Sequence, residues 1–385
     1  MKHKIKILVL YQVIMHYRLP FYEHIDGDSE YEFCLLFGRG KEGSKLVNTN
    51  QEFRFKNKKL FDFRIPLKTA NGEAYIPVSP FLFFHLIVKS PQIIFSEGSS
   101  SIVNSSIAFI YAKIFRKKFV WWSLGMLEGR TYSGLRKWLN KWEKVIENNS
   151  DAIFTYSSKG RDYFLSRGVE MEKIFVGVNV IDTDKKLKEI ERYRNVEFSF
   201  PYQDKFNLVF IGSITSEKNL ELLIDVVKRF NLVYKDVGML HIIGDGKYLT
   251  VIDKYIKDNN VADSILLHGR INEGASKILS KCDVMVLPGL GGLAIVEAML
   301  NNLPVITGRA DGTEYDLVDD SNGFIIETIN EQSLFEKIEF LYLNEDVRQS
   351  MGLKSFERIT KEFSFSKYYS KFKEAINYAL WRHQY

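Results

Sequence analysis

The chain has 385 residues, 45% of them hydrophobic and 26% charged, with a formal net charge of +5. That length holds roughly two or three domains at ~100–200 residues each, and the composition is that of a globular protein with real cores, which excludes a disordered or fibrous chain. The small positive charge supports a local basic surface at most and gives no general case for nucleic acid.

Taken in order, Lys2, Lys4 and Lys6 precede only Ile7–Leu10. That run is too short for the ~7–15 apolar residues of a secretion signal and reads as a first strand. The longest apolar run, Phe81–Val88, is interrupted by His85 and falls far below the ~20 residues that span a bilayer. The chain is therefore expected to be cytoplasmic, soluble or peripheral on the inner face of the cell membrane. Cys34 and Cys282 sit in apolar runs, which favours core packing over a disulfide or metal pair.

Short unbroken apolar runs predict strands at Ile7–Leu10, Phe33–Phe37, Ile93–Phe95, Phe119–Trp122, Ala152–Thr155 and Ile174–Val176. Separated by helical patterns, they describe a parallel sheet buried on both faces. One such helix carries Leu135, Trp138, Leu139, Trp142, Val145 and Ile146 on one face and Arg136, Lys137, Lys141 and Lys144 on the other. After Asn179-Val180-Ile181-Asp182 the charged run 185–205 loses periodicity and reads as an interdomain connection, so the first domain is residues 1–184. The alternation restarts in a second domain, 206–365. Its strands are Leu208–Ile211, Leu240–Ile243, Ile265–Leu267, Val284–Leu287, Val305–Ile306 and Phe324–Ile326, and Leu220, Leu223, Ile224 and Val227 set a helix. A last helix, about 366–385, follows Phe363-Ser364-Phe365-Ser366; its place in the chain does not show where it docks. Two doubly wound α/β units predict a cleft, with ligands at the strand C-terminal ends.

The centre of interest is Leu287–Pro304, where a strand breaks at Pro288 into a turn holding Gly289, Gly291 and Gly292, then a short apolar helix. Glycines admit close ligand approach, and the first amides of a helix are donors for an anion or a sugar. Glu297, the one charge from Leu293 to Leu300, needs a partner if buried. Three further loops follow strands. Gly212-Ser213-Ile214-Thr215-Ser216-Glu217-Lys218 puts a lysine beside a helix start, suited to a diphosphate or else solvated in a turn. Gly244-Asp245-Gly246 is a tight turn, and His268-Gly269-Arg270 offers groups to a base edge.

As an ordered set over roughly 206–330, these pieces, with Cys282–Pro288, Leu303–Ile306 and Asn322-Gly323-Phe324, resemble the retaining glycosyltransferases of family 4. The first half matches more loosely through Tyr17–Tyr22, Asp151–Ser157 and Asn179–Asp182. The resemblance implies a GT-B fold, two doubly wound Rossmann-like domains facing a central cleft, with the last helix joined to the first domain. It implies retaining transfer from a nucleotide-diphosphate sugar, a UDP-sugar foremost, to a glycan or lipid-linked acceptor, with no metal or other cofactor. Glu297 would hold the ribose and Lys218 the diphosphate. Gly212, Ser213, Gly244, Gly289, Gly291, Gly292 and Leu293 would line the donor site, and Arg270 would face the base. Three departures stand out. The first glutamate of the family's paired motif falls at Gly289, the arginine usual after Gly212 is Ser213, and the first-domain histidine is replaced within Ser123-Leu124-Gly125-Met126.

On the acceptor side Arg18 and Glu97, each just past a strand, are the residues expected to contact the acceptor; Glu128 and Arg130 are further candidates, and a helix start with ordinary surface charge is the other reading of Arg18. Lys113, Arg116, Lys117 and Lys118, with the basic face at 136–144, either rest on anionic lipid or are solvated, and the aromatic residues nearby read as core. An epimerase on the same architecture and a non-catalytic sugar-nucleotide-binding subunit are the competing readings. A nicotinamide dehydrogenase is disfavoured, because Tyr11–His16 holds no glycine fingerprint.

Overall fold

The computed structural model describes residues 4–40, 48–69, 72–125, 134–194, 196, 198, 200 and 202–381. The chain divides into two compact units, Met1–Gly177 with Tyr368–Tyr385, and Val178–Lys367.

The first unit holds β1 (Ile5–Tyr11), β2 (Tyr31–Phe37), β3 (Asn57–Lys59), β4 (Phe63–Thr69), β5 (Gly72–Val78), β6 (Ile93–Glu97), β7 (Lys118–Trp122), β8 (Ala152–Thr155) and β9 (Ile174–Val176). Seven of them form one parallel sheet in the order β3-β2-β1-β6-β7-β8-β9. Ile7 pairs with Phe33 on one side and Ile93 on the other. Ile7, Leu8, Val9 and Leu10 are all buried, because helices cover both faces of such a sheet and consecutive side chains then all need to be apolar. The antiparallel β4–β5 hairpin escapes that pattern. It alternates apolar with charged residues and carries Pro66 and Pro77, which disfavour a strand reading.

The second unit holds β10 (Phe206–Ile211), β11 (Gly238–Ile243), β12 (Ile265–Gly269), β13 (Val284–Leu287), β14 (Val305–Gly308) and β15 (Gly323–Ile326). They form a parallel sheet ordered β12-β11-β10-β13-β14-β15. In both sheets the order reverses beside the unit's first strand, between β1 and β6 and between β10 and β13. Those reversals are where doubly wound sheets bind ligands. The Leu220–Tyr234 helix buries Leu220, Leu223, Ile224 and Val227, as its spacing predicts.

Two expectations need correction. The charged run read as an interdomain connection contains the Thr183–Arg194 helix, which packs within the second unit on the Ser276–Leu279 and Leu293–Leu300 helices. Its charges mislead because several face neighbouring elements instead of water. Trp138, read as core, is 64% exposed, whereas Phe119, Trp121 and Trp122 are fully buried. The last helix, Phe365–Trp381, buries Phe372 in the first unit, its ring 5.1 Å from both Phe21 and Phe95. Among the described residues no helix is long and apolar enough to cross a membrane.

A buried polar chain runs through the second unit. Asn207 donates its amide hydrogens to Tyr202 O and Lys205 O, so its Oδ1 accepts from His241 Nε2 at 2.9 Å. His241 Nδ1 must then accept, and His268 Nε2 donates to it at 2.9 Å. Protonating His241 would set two N–H groups against each other. Burial, and then the charge of His268, hold the His241 imidazole down to about 4. The unfolded chain takes up this proton below ~6.5, the folded chain only near 4, so stability falls as pH drops through that window, by about 3 kcal/mol in total. Imidazole NMR titration of the folded protein checks this; a His241 midpoint near 6.5 would contradict the network.

Candidate functional site

At the β10/β13 reversal two turns lock together. After β10 the chain forms a single 3-10 turn, Ser216–Lys218, and Asn219 takes a left-handed conformation (φ 51°) that opens the next helix. After β13, Leu290 N donates to Glu217 O at 3.2 Å and Asn219 Nδ2 donates to Pro288 O at 3.4 Å. Gly289 lies directly under this contact. A Cβ added there would stand 2.0 Å from Glu217 O and 2.7 Å from Lys218 Cα. The position at which the family pattern carries a glutamate therefore has no room for any side chain, and the missing atoms are replaced by the backbone that holds Lys218. Lys218 itself is buried, 8% exposed, contrary to a lysine solvated in a turn.

Gly292 caps the Leu293–Leu300 helix. Here a Cβ would stand 2.6 Å from Asp311 Oδ2, so a carboxylate from the loop after β14 fills the space. At Gly291 the neighbour is only the Leu287 side chain. Gly244 (φ 154°) lets the end of β11 pass Gly212, where a Cβ would meet Gly212 O at 1.8 Å; its requirement is strand packing. Ser213 and Arg270 are exposed. Arg270 follows β12, separated from β10 by β11, so roughly 10 Å of sheet lies between it and the Lys218 turn.

Glu297 projects from the same helix and is a quarter exposed. Lys186 Nζ lies 3.6 Å from its Oε2 and 3.2 Å from Glu189 Oε1. Glu189 Oε1 also accepts from Gly274 N at 2.8 Å. Burial raises the Glu297 carboxyl above its ordinary value; Lys186 opposes this and Glu189 adds to it. Oε2 has no hydrogen-bond donor among the described residues. The neighbour of that oxygen is the Lys186 ammonium, and a hydroxyl is the kind of donor that would complete its hydrogen bonding. Sequence reasoning missed Lys186, Glu189 and Asp311. The Lys186/Glu189 spacing of three residues was the available signal, obscured by the charged run around it.

At the β1/β6 reversal the first unit builds a different centre. Arg18 ends the His16–Arg18 turn and is 4% exposed, so it is no surface charge. It donates to Tyr368 Oη at 3.1 Å and lies 4.9 Å and 5.0 Å from the ring centres of Trp122 and Tyr156. Glu97, the last residue of β6, accepts from Gln12 N at 2.5 Å and Ser100 Oγ at 2.6 Å. Burial raises its carboxyl, opposed by these bonds and by the charge of Arg18. Both residues thus have protein partners. Tyr11, Trp122, Tyr156 and Tyr368, which complete the surroundings of Arg18, were not singled out in the sequence. Glu128 and Arg130 lie outside the described residues.

The Gly289 contact carries a direct prediction. Gly289→Glu should not restore a site carboxylate but pry the Lys218 turn away, destabilising the second unit by about 1–3 kcal/mol or more, as overpacking does. Urea unfolding with hydrogen exchange at 214–219 reads both effects; unchanged stability and protection would refute the packing argument.

Comparison with known proteins fits this geometry. Residues 192–358 match the family described as glycosyl transferases group 1. The chain is 29% identical over 230 residues to an uncharacterized glycosyltransferase of Methanocaldococcus jannaschii, an alignment covering 57% of this chain and 64% of that one. It is 28% identical over 235 residues to the poly(glycerol-phosphate) alpha-glucosyltransferase of Bacillus subtilis, covering 60% of this chain and 33% of that one. The chain thus spans between a third and just under two thirds of these relatives. Among solved structures, HepE of Anabaena in complex with UDP superposes with a TM-score of 0.73 at 15% identity, covering 97% of this chain and all of that one. The lipopolysaccharide outer core galactosyltransferase WaaB, in its apo form, gives 0.67 at 16%, covering 97% and 99%. The chain has the GT-B fold of two Rossmann-like units, and its residues 192–358 match the glycosyl transferases group 1 model.

Proposed function

We propose that this protein is a retaining glycosyltransferase that moves a sugar from a UDP-sugar to a glycan or lipid-linked acceptor in surface polysaccharide or glycoconjugate synthesis. The observation that carries the reading is the glycine turn locked against buried Lys218 at the start of the helix that carries Glu297. The Bacillus subtilis relative, a glucosyltransferase, supports sugar transfer, and the UDP in the HepE structure supports the donor class. In this scheme Glu297 accepts the ribose hydroxyls. Lys218 and the first amides of the Leu293–Leu300 helix face the diphosphate. As the bond from the sugar to the diphosphate breaks, negative charge grows on the departing oxygen, and donors already fixed there stabilise it without reorganising. The acceptor hydroxyl forms the new bond to the sugar and passes its proton to the departing diphosphate oxygen. No protein nucleophile and no metal are required in this scheme. Gly212, Ser213 and Gly244 border the donor, Arg270 faces the base, and Arg18 and Glu97 serve the acceptor.

Lys218→Ala is expected to lower turnover roughly 100-fold or more, and Glu297→Gln to raise mainly the donor KM. Nucleotide release from a panel of UDP- and GDP-sugars, with and without acceptor extract, reads both. Near-normal turnover in Lys218→Ala would refute the assignment, as would sugar interconversion with the nucleotide retained, the mark of an epimerase.

The acceptor end is proposed to work at an anionic membrane surface. Phe81, Phe84 and Val88, around the Leu82–Lys89 helix, and Ile110, Ile114 and Phe115, around Ile102–Ile114, are 44–62% exposed on two packed helices. Lys113 and Arg116 are exposed beside them. Lys118, by contrast, is paired with Asp151 at 3.2 Å, which removes it from the basic set. Exposed Trp138 lies on the neighbouring helix with Lys137, Lys141 and Lys144. Each basic residue near anionic lipid adds ~1 kcal/mol and fades with salt. Flotation with phosphatidylglycerol vesicles should show binding that falls about 10-fold in Phe84→Asp and weakens at high salt; binding insensitive to both would exclude this surface.

A further inference from the structure

Asp311 belongs to the loop between β14 and the Glu314–Leu317 turn, and that loop is built to hold it. Glu314, buried, accepts from Ala310 N and Gly312 N, each at 2.8 Å. Gly312 adopts φ 97° between them. Thr313, fully buried, donates from N at 3.2 Å and from Oγ1 at 2.5 Å, both to Asp311 Oδ1. The carboxylate is thereby fixed with Oδ2 turned to Gly292, where it stands 2.6 Å from the point a Cβ would occupy. Glycine at 292 is the one residue type that leaves room for this carboxylate.

The same loop-to-helix contact explains a charge problem. A site read as taking a diphosphate would normally exclude a second carboxylate. Burial pushes the Asp311 carboxyl up, opposed by the Thr313 bonds and the charge of Lys218. Both Thr313 bonds fall on Oδ1, which leaves Oδ2 as the oxygen that can accept from a hydroxyl at the Gly292 turn, and the sugar is the part of the donor that supplies hydroxyls. Glu297 lies five residues further along the helix from Gly292, about 7 Å of axial rise. Asp311 thus stands at the start of this helix and Glu297 in its second turn, and the charge of Lys218 acts on Asp311. Gly289, where the family pattern holds its sugar-facing glutamate, is sealed under the Lys218 turn and cannot contribute.

We propose that Asp311 is the residue that selects the transferred sugar: its Oδ2 accepts a hydrogen bond from a sugar hydroxyl at the Gly292 turn, a contact reached from the loop after β14 in place of position 289. The proposal rests on the donor reading given above, and calorimetry on the full chain separates the two. Titrate UDP, UDP-glucose, UDP-galactose, UDP-N-acetylglucosamine and GDP-mannose into wild type and Asp311→Asn, an isostere that keeps both Thr313 bonds. The variant should bind UDP within about twofold of wild type. Its affinity for the preferred nucleotide sugar should fall roughly 10-fold or more, and its glucose-to-galactose discrimination should collapse toward one. Asp311→Ser, smaller and uncharged, should give the same pattern if the amide variant folds poorly. Loss of UDP affinity equal to the loss for UDP-sugars would overturn the proposal, as would wild-type sugar affinity and discrimination in a folded variant. Failure of the wild type to bind any of these nucleotides would overturn the donor reading itself, and is visible before any variant is made.

Discussion

The second unit depends on one backbone contact, the seating of Gly289 against Glu217 and Lys218. Two loops that follow adjacent parallel strands would ordinarily diverge, each needing water or a ligand for its unpaired amides. Here Leu290 N, Glu217 O, Asn219 Nδ2 and Pro288 O satisfy one another, and the approach is possible only because position 289 has no Cβ. The contact fixes the height of the Lys218 turn against the glycine-rich entry of the Leu293–Leu300 helix. A cation and a set of helix amides are thus held before any ligand arrives, which is the condition for electrostatic preorganisation.

Around that contact the charges are arranged so that burial is tolerated but not relieved. At 3.6 Å the Lys186–Glu297 pair gains on the order of 4 kcal/mol before desolvation, taking an effective dielectric near 20. Even so, burial is the largest influence on the Glu297 carboxyl and leaves it raised. Desolvation wins. Glu189 explains part of this, since it draws Lys186 at 3.2 Å and shares its charge. A carboxylate left under-compensated gains more from two ligand hydroxyls than a fully paired one would. The helix that supplies Lys186 and Glu189 is the very segment whose charges look like a linker in the sequence.

That misreading shows where sequence reasoning reaches its limit. All the predicted strands of both sheets are present, because a strand buried on two faces must be continuously apolar and nothing else in a chain of this kind looks the same. The glycines after β13 were legible as a site for a similar reason: side chains were absent where a helix begins. What was not legible is what fills the space. Position 289 reads as a lost glutamate in the sequence, whereas the structure shows the carboxylate atoms replaced by the Lys218 turn. Asp311 sits 22 residues past Position 289 in the chain, and only the β13–β14 pairing brings its loop alongside. Such a pairing leaves no local pattern. Lys186 was hidden by its own type, since lysines in charged runs are solvated as a rule.

The first unit has the same sheet reversal but resolves it differently, and the contrast accounts for the unequal legibility of the two halves. In the second unit the glycine turns, Lys218 and the helix starts lie in short contiguous stretches that can be read directly. Arg18 instead rests among Trp122, Tyr156 and Tyr368, contributed by three separate elements. A guanidinium so enclosed gains cation–π attraction of ~0.5–2 kcal/mol from each well-placed ring, and its Nε still lacks an acceptor among the described residues. No short motif encodes this enclosure. The cation is set by rings from β7, from just after β8 and from the last helix, so changing any one of them shifts Arg18 without touching its sequence neighbours. A centre specified in this distributed way can be altered by a single substitution in any of three elements while the loops of the other unit stay as they are.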